Sequence, residues 1–377
     1  MVKILFFIET LSYNGSIGGA EKVLLTLVNH MDTSEFDITV QTVFPDEYAC
    51  LLNQNIRYRS CYPKKNAASA SLYRMESELG LTYPLHIRDD YDIEVAFLEY
   101  ATTKVLAAST NKKARKAAWI HCDFDTAIHN KEAFVAKTRK QYQRYDKIVC
   151  VSEQCKKSFD ELFASGFDSV VLHNVIDDRE ILSKAKEALP EGVSKTKYTL
   201  CSVGRFSRQK NHLRLLKACK RLHDEGFPFE LWLVGDGILR PEVESFISEN
   251  NMGGYVRLWG FQANPYPFIA KADLLVCSSF FEGFSTVITE GVLLRKQILT
   301  TDCSGMHEIL DGYSGGMIVP NDDEAFYSGL RSCAGHPLDS EPTGGLAFST
   351  EALVKENEAF FKRLLSDGER QVHDKGN

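Results

Sequence analysis

Short apolar runs recur along this chain, each leading through a turn into a segment with helical spacing, and this alternation restricts the fold more than any other feature. Val2–Ile8 is a continuous apolar run, the pattern of a strand buried on both faces. It leads through a glycine-bearing loop into Ala20–Met31, where Val23, Leu24, Leu27 and Val28 make one helical stripe. Strand-like runs follow at Phe36–Val43, Ile93–Leu98, Ala117–Ile120, Lys147–Val151 and Val170–Leu172. A second array begins at Tyr198 and continues through Phe229–Val234, Val256–Gly260, Ala272–Ser279, Gln297–Thr301 and Gly316–Val319. Strands separated by helices pair in parallel, so each array predicts a doubly wound sheet. The 377 residues are about twice a usual domain. The expected class is therefore α/β, with two Rossmann-like doubly wound parallel-sheet domains facing across a cleft. The expected boundaries are 1–175 for the first domain, 176–197 for a charged linker poor in apolar anchors, and 198–349 for the second. A helical pattern from Thr350 to Ser366 places a helix within 350–377 that crosses back to the first domain.

Ligands in such sheets bind beyond the carboxyl ends of the strands, and several charged residues fall there. The run Ala272–Ser279 enters the turn Phe281-Glu282-Gly283-Phe284-Ser285-Thr286 and then a helix in which Val287, Glu290, Gly291 and Leu294 share one stripe. A carboxylate on that stripe needs a cation or a ligand hydroxyl, because burying it alone costs several kcal/mol. Glu282, in the turn, is expected to face the cleft. The same spacing also fits a structural salt bridge at Glu290 and a solvated loop carboxylate at Glu282. The strand from Tyr198 runs into Gly204-Arg205-Phe206-Ser207-Arg208-Gln209-Lys210, where Arg205 and Lys210, with Arg208 as a third cation, would make a phosphate site. Gly235-Asp236-Gly237 marks another turn, a weak signal alone.

In the first domain the glycines at 15, 18 and 19 bring backbone amides close to an anion. They do not follow the G-x-G-x-x-G spacing, which counts against a nicotinamide or flavin enzyme. His121 stands directly after the strand ending Trp119-Ile120, at the carboxyl edge. Asp123-Phe124-Asp125 has the D-x-D form of some metal-nucleotide sites, but so short a pattern recurs by chance. Lys112, Lys113, Arg115 and Lys116, with Lys131, Lys137, Arg139, Lys140 and Arg144, suit an anionic membrane surface or a pyrophosphate-bearing lipid, and equally a solvated charged face.

The formal charge of −7 argues against a nucleic-acid binder. That average conceals thirteen Lys/Arg against five Asp/Glu between Tyr100 and Lys157. Ten cysteines at irregular spacings, with no Cys-x-x-Cys pair, read as reduced core residues of a cytosolic protein. No apolar run reaches the roughly 18 residues of a membrane span, so membrane contact is expected to be peripheral, on the inner face.

Taken in order, these motifs resemble a family 4 glycosyltransferase of the GT-B type, over nearly the whole chain. The resemblance rests on Gly18-Gly19-Ala20-Glu21, Val151-Ser152-Glu153, Asn174 with Asp177, Gly204-Arg205 with Lys210-Asn211, Gly235-Asp236-Gly237, and Glu282 with Glu290 at E-x7-E spacing. It implies transfer, with retention of configuration, of a hexosyl or N-acetylhexosaminyl group from a nucleotide-diphosphate sugar, a UDP-sugar above all. The implied acceptor is a glycan or undecaprenyl-diphosphate-linked chain in surface polysaccharide (capsule or exopolysaccharide) synthesis. No metal and no other cofactor is implied. By the same resemblance Arg205 and Lys210 grip the diphosphate, Glu290 binds the ribose, and Glu282 meets hydroxyls of the sugar. The amides of Phe284, Ser285 and Thr286 face phosphate or sugar, and Gly235 belongs to the donor-binding set. Gly18 and Gly19 approach the diphosphate from the first domain, and His121 lies beside the donor sugar. The family often has glycine where Ser285 stands. A sugar-nucleotide epimerase of the same architecture and a non-catalytic nucleotide-sugar binding subunit fit the same motifs; product analysis and a test for donor turnover distinguish them.

Overall fold

The computed structural model describes residues 1–12, 17–335, 338–339, 341–345 and 349–374. Two compact units result, one of Met1–Ile176 with Ser349–Asn377, the other of Asp177–Phe348.

The first unit is built on a parallel sheet of β1 (Val2–Phe7), β2 (Phe36–Thr42), β3 (Arg57–Ser60), β4 (Ile93–Ala96), β5 (Arg115–Ile120), β6 (Lys147–Cys150) and β7 (Ser169–Val171), ordered β3-β2-β1-β4-β5-β6-β7. The central β1 is buried from Ile4 through Phe7, which is why its sequence does not alternate. Strand β3 escaped the sequence reading because it lies at an edge and reads Arg-Tyr-Arg-Ser, half-exposed and without an apolar run. The last helix, Thr350–Asp374, returns to this unit. Its Phe361 packs edge-on against Phe6, with ring centroids 5.7 Å apart, and at a tilt against Trp119 at 5.9 Å. At its start, Thr350 Oγ1 donates to Ile176 O at 2.8 Å.

The second unit holds β8 (Tyr198–Val203), β9 (Phe229–Val234), β10 (Val256–Gly260), β11 (Leu274–Cys277), β12 (Gln297–Thr301) and β13 (Gly316–Val319), all parallel, in the order β10-β9-β8-β11-β12-β13. The segment read from sequence as a linker joins this unit and contains a helix, Asp178–Lys184. Asp177 caps it by accepting from Glu180 N at 2.8 Å, and a single well-placed apolar residue, Ile181, is fully buried. One anchor with a good cap suffices where a count of apolar residues suggested open chain. In each sheet the winding reverses once, between β1 and β4 and between β8 and β11, which is where ligands of such sheets bind.

Candidate functional site

At the reversal in the second unit the segments after β8 and β11 meet, with Phe280 N donating to Gln209 O at 2.8 Å. After β8 the chain turns at Gly204, which passes against the turn after β9: a Cβ at Gly235 would stand 2.0 Å from Gly204 O, and one at Gly237 2.5 Å from Phe206 O. Only glycines permit this contact, which is tied by Gly204 N donating to Val234 O at 3.0 Å and Phe206 N to Asp236 O at 2.9 Å. Arg205 is half-buried on this turn and Arg208 is exposed. Asn211, left-handed at φ +47°, starts the helix His212–Asp224, a conformation that asparagine tolerates well.

Lys210 and Glu282 meet here. Lys210 Nζ donates to Glu282 Oε1 at 2.7 Å, with only 7% of the Glu282 side chain and 20% of the Lys210 side chain exposed. Ser279 Oγ donates to the same carboxylate at 2.5 Å, and Gln209 Nε2 lies 3.4 Å from its other oxygen. Sequence reading left Glu282 facing a cleft; in the structure it is a buried, ion-paired group, because Ser279 and Lys210 satisfy it from β11 and the β8 loop. Burial works against the Lys210 ammonium, but the Glu282 charge and its hydrogen bond outweigh this and hold Lys210 above its ordinary pKa. Next to it, His212 is pushed down to about 3, first by burial and then by the Lys210 charge. Its ring packs edge-on against Phe206, and its Nδ1 is buried without a partner among the described residues.

The helix Thr286–Leu293 begins at this spot. Ser285 is its N-cap residue, yet its hydroxyl caps nothing: Oγ is buried without a partner among the described residues. Phe284 is buried and Thr286 half-buried. Glu290 is 3% exposed, as its place on the stripe required, and Tyr266 OH lies 3.4 Å from its Oε1. The stripe itself is rotated from the sequence reading: Ile288 and Val292 are buried with Glu290 and Gly291, while Val287 and Leu294 are half-buried. Close packing explains this, since a Cβ at Gly291 would stand 2.5 Å from Leu275 Cδ2, so the helix lies down on β11 through that glycine.

In the first unit, Gly18 accepts from Lys22 N at 3.1 Å and precedes the helix Gly19–His30. Gly15 lies outside the described residues. The loop before it is held by a residue that sequence reading missed: Asp46 Oδ2 accepts from Thr10 Oγ1 at 2.6 Å, Leu11 N at 2.9 Å, and both Ser12 N and Ser12 Oγ at 3.0 Å. Burial opposes the charge on Asp46, but these donors together lower its pKa. His121 follows β5. Burial pushes its pKa down to about 3 against a hydrogen bond to the Phe97 backbone, so the ring is neutral. Its Nε2 is buried without a partner among the described residues, and its amide donates to Glu99 Oε2 at 3.1 Å.

Other motifs have structural work. Ser152 caps the helix Glu153–Phe163 through Cys155 N at 3.1 Å. Asp123 accepts from Asp125 N at 2.9 Å, and Asp125 pairs with Lys131 at 2.7 Å, so these carboxylates are turned to the chain itself. Among the described residues no three acidic, histidine or cysteine side chains are grouped as metal ligands. The basic set divides: Arg115 pairs with Asp146 at 2.9 Å and Arg139 donates to Phe163 O, whereas Lys112, Lys113, Lys137, Lys140 and Arg144 are exposed.

Two Rossmann-like parallel-sheet units in one α/β chain define a protein of the GT-B architecture. Residues 197–335, which carry Arg205, Lys210, Glu282 and Glu290, match the family described as glycosyl transferases group 1. The chain is 35% identical over 164 residues to N-acetylgalactosamine-N,N'-diacetylbacillosaminyl-diphospho-undecaprenol 4-alpha-N-acetylgalactosaminyltransferase of Campylobacter jejuni, covering 43% of either protein. It is 26% identical over 180 residues to the lipopolysaccharide core biosynthesis glycosyltransferase LpsD of Rhizobium meliloti, 48% of this chain and 50% of that one. The matches thus span about half the length of these relatives or less. In fold it is similar to HepE of Anabaena, solved with UDP and glucose, at a TM-score of 0.70 and 16% identity over 96% of this chain and 100% of that one. It is also similar to sucrose-phosphate synthase of Thermosynechococcus elongatus, at a TM-score of 0.75 and 15% identity over 97% and 100%. No helix among the described residues is long and apolar enough to cross a membrane.

Proposed function

We propose that this protein is a glycosyltransferase that takes a hexosyl or N-acetylhexosaminyl group from a UDP-sugar and passes it, with retention, to a glycan or undecaprenyl-diphosphate-linked acceptor in surface polysaccharide synthesis. The observation that carries the reading is the Lys210–Glu282 pair, seated where the winding of the second sheet reverses and beside a helix start whose Ser285 hydroxyl has no partner among the described residues. The group 1 match and the activities named for the relatives supply the reaction class.

In this reading Arg205 and Lys210 meet the donor diphosphate, with the amides of Phe284, Ser285 and Thr286. Glu290 holds the ribose, Glu282 the sugar hydroxyls, and Gly235 leaves room for the donor. Gly18, Gly19 and neutral His121 act from the first unit. As the bond from the anomeric carbon to the diphosphate oxygen breaks, its electron pair stays on the diphosphate. The acceptor oxygen bonds to the same carbon from the same face, and its proton passes to the departing phosphate. The fixed cations and helix-start amides match the charge that develops, with no metal required by this scheme. Glu282 is engaged by Lys210 and is assigned neither base nor nucleophile.

A thermal-shift panel of nucleotide sugars tests the donor, since a ligand at about 100 times its Kd stabilises by about 2.7 kcal/mol. A uridine nucleotide sugar should give the largest shift. Arg205→Ala should cut turnover on the order of a hundredfold; near-normal rates refute the diphosphate assignment.

We also assign the first unit to an anionic membrane surface through Lys112–Lys116 and Lys131–Arg144. Its exposed cations support this, as does a bare apolar stripe on the helix Ala67–Leu79, where Leu72, Met75 and Leu79 are 41%, 53% and 65% exposed. That helix reaches the basic region through Glu78, which pairs with Lys104 at 2.6 Å. Replacing Lys112, Lys113, Lys137 and Lys140 with Glu should release the protein from vesicles containing phosphatidylglycerol. Unchanged co-sedimentation counts against the assignment.

A further inference from the structure

The turn that carries Glu282 is held from four directions. Each carbonyl oxygen from Ser278 to Phe281 has a side-chain donor beside it, and the donors come from four different segments of the second unit. Ser278 O lies 3.5 Å from Arg214 Nη1. Ser279 O accepts from Thr301 Oγ1 at 2.6 Å and from the Cys303 thiol at 3.3 Å. Phe280 O accepts from Asn321 Nδ2 at 2.7 Å, and Phe281 O from Gln209 Nε2 at 3.1 Å. A strand has ended here and a helix has not begun, so the sheet ladder no longer serves these carbonyls and side chains replace it.

Arg214 reaches this segment at both Ser278 and Phe280. It lies on the helix His212–Asp224 and is 4% exposed. Its Nη1 donates to Asn321 Oδ1 at 2.6 Å, which orients the Asn321 amide toward Phe280 O. Its guanidinium carbon stands 4.8 Å from the centre of the Phe280 ring, and its Nε pairs with Asp323 Oδ1 at 2.8 Å. One buried cation therefore touches the turn at the Ser278 carbonyl, at the Phe280 ring and, through Asn321, at the Phe280 carbonyl. Asp323 is 60% exposed, and a pair with so open a carboxylate contributes little by itself, which leaves the turn as the reason for burying an arginine here. The planar fork of arginine suits simultaneous bonds to two residues and a stacked ring better than a lysine ammonium.

We propose that Arg214 is a positioning residue for the Glu282 turn: it aligns the Ser278–Phe281 backbone and so holds the Glu282 carboxylate against Lys210. Its consequence for the donor rests on the reading of Glu282 and Lys210 given above; its structural half does not. Hydrogen–deuterium exchange on the ligand-free 377-residue chain tests that half. In Arg214→Met, amides of residues 278–284 should exchange about tenfold faster while β9 stays protected, because a local anchor is lost and not the unit's stability. Asn321→Ala is half-exposed and less disruptive, and should raise exchange in the same segment even if the arginine variant does not fold. Unchanged exchange, or a uniform rise across the unit, overturns the proposal.

Calorimetry with UDP-glucose and UDP reads the other half. Arg214→Met should weaken UDP-glucose binding about tenfold, Arg214→Lys should recover only part of this, and in a Glu282→Ala background Arg214→Met should change the Kd by less than about twofold. Full additivity of the two substitutions overturns the positioning role. If Glu282→Ala leaves binding unchanged, or UDP-glucose does not bind the wild type, the donor reading fails instead, and the exchange pattern still decides the role of Arg214.

Discussion

Replacing Lys210 by methionine keeps the side chain's bulk and removes its charge, which leaves the Glu282 carboxylate buried with Ser279 at 2.5 Å and Gln209 at 3.4 Å as its donors. At the 2.7 Å separation of the native pair, the gross attraction is about 6 kcal/mol in a medium of effective dielectric about 20. Breaking a fully buried pair costs about 3–5 kcal/mol. Lys210 is 20% exposed and two donors remain on the carboxylate, so about 2–3 kcal/mol is the expected loss of second-unit stability. The double variant Lys210→Met/Glu282→Gln removes both charges, and should return to within about 1 kcal/mol of the wild type. Activity should behave differently: both variants should lose on the order of a hundred- to a thousandfold in turnover, because the cation proposed to meet the leaving diphosphate is absent in each. Urea unfolding followed by exchange in second-unit peptides gives the stabilities, and donor turnover with the nucleotide sugar of largest thermal shift gives the rates. The pH dependence adds a check. The folded pKa of Lys210 is raised, so its contribution is complete below 10.5 and is lost as pH rises through the higher folded value. The double variant should lack that alkaline loss. A Lys210→Met chain as stable as the wild type, or a double variant less stable than both single ones, refutes the argument that the pair is a coupled buried unit. Recovered activity in the double variant refutes its part in the reaction.

Two further predictions concern burial and packing. His121 and His212 both have pKa values pushed down to about 3, so each binds a proton more readily in the unfolded chain. Stability should be complete above about 6.5 and fall as pH is lowered toward 3, by up to roughly 4–5 kcal/mol per histidine; His212→Phe should flatten the acid limb measured on second-unit peptides, and an unchanged limb contradicts the assignment. Gly235→Ala places a methyl 2.0 Å from Gly204 O at a backbone φ of +142°, so the turns after β8 and β9 must separate. A loss of about 3 kcal/mol or more is expected, with weaker donor binding, and a neutral effect on the midpoint of urea unfolding counts against the contact.

The succession of apolar runs and helical segments determined the doubly wound sheets, because a strand buried on both faces leaves a continuous apolar run that side chains alone reveal. It also placed Arg205, Lys210, Glu282 and Ser285 at carboxyl edges, since position after a strand is a matter of chain order. Burial of Glu290 followed from helical spacing. Other features were outside the reach of local pattern. The edge strand Arg57–Ser60 has no apolar run, and Ile181 anchors a helix in a segment too polar to suggest one. Glu282 was expected to face a cleft and is instead buried, bonded by Ser279 and paired with Lys210, 72 residues away in the chain. Arg214 and Asn321, 107 residues apart, carried no motif at all. Pairing of that kind depends on which loops the sheet order brings side by side, and strand order is set by packing of the whole unit. Sequence alone thus determined the apolar strands and the residues at their ends; tertiary structure decided which of those residues meet, and hence that the two glutamates of the E-x7-E pair, alike in burial, differ in partners.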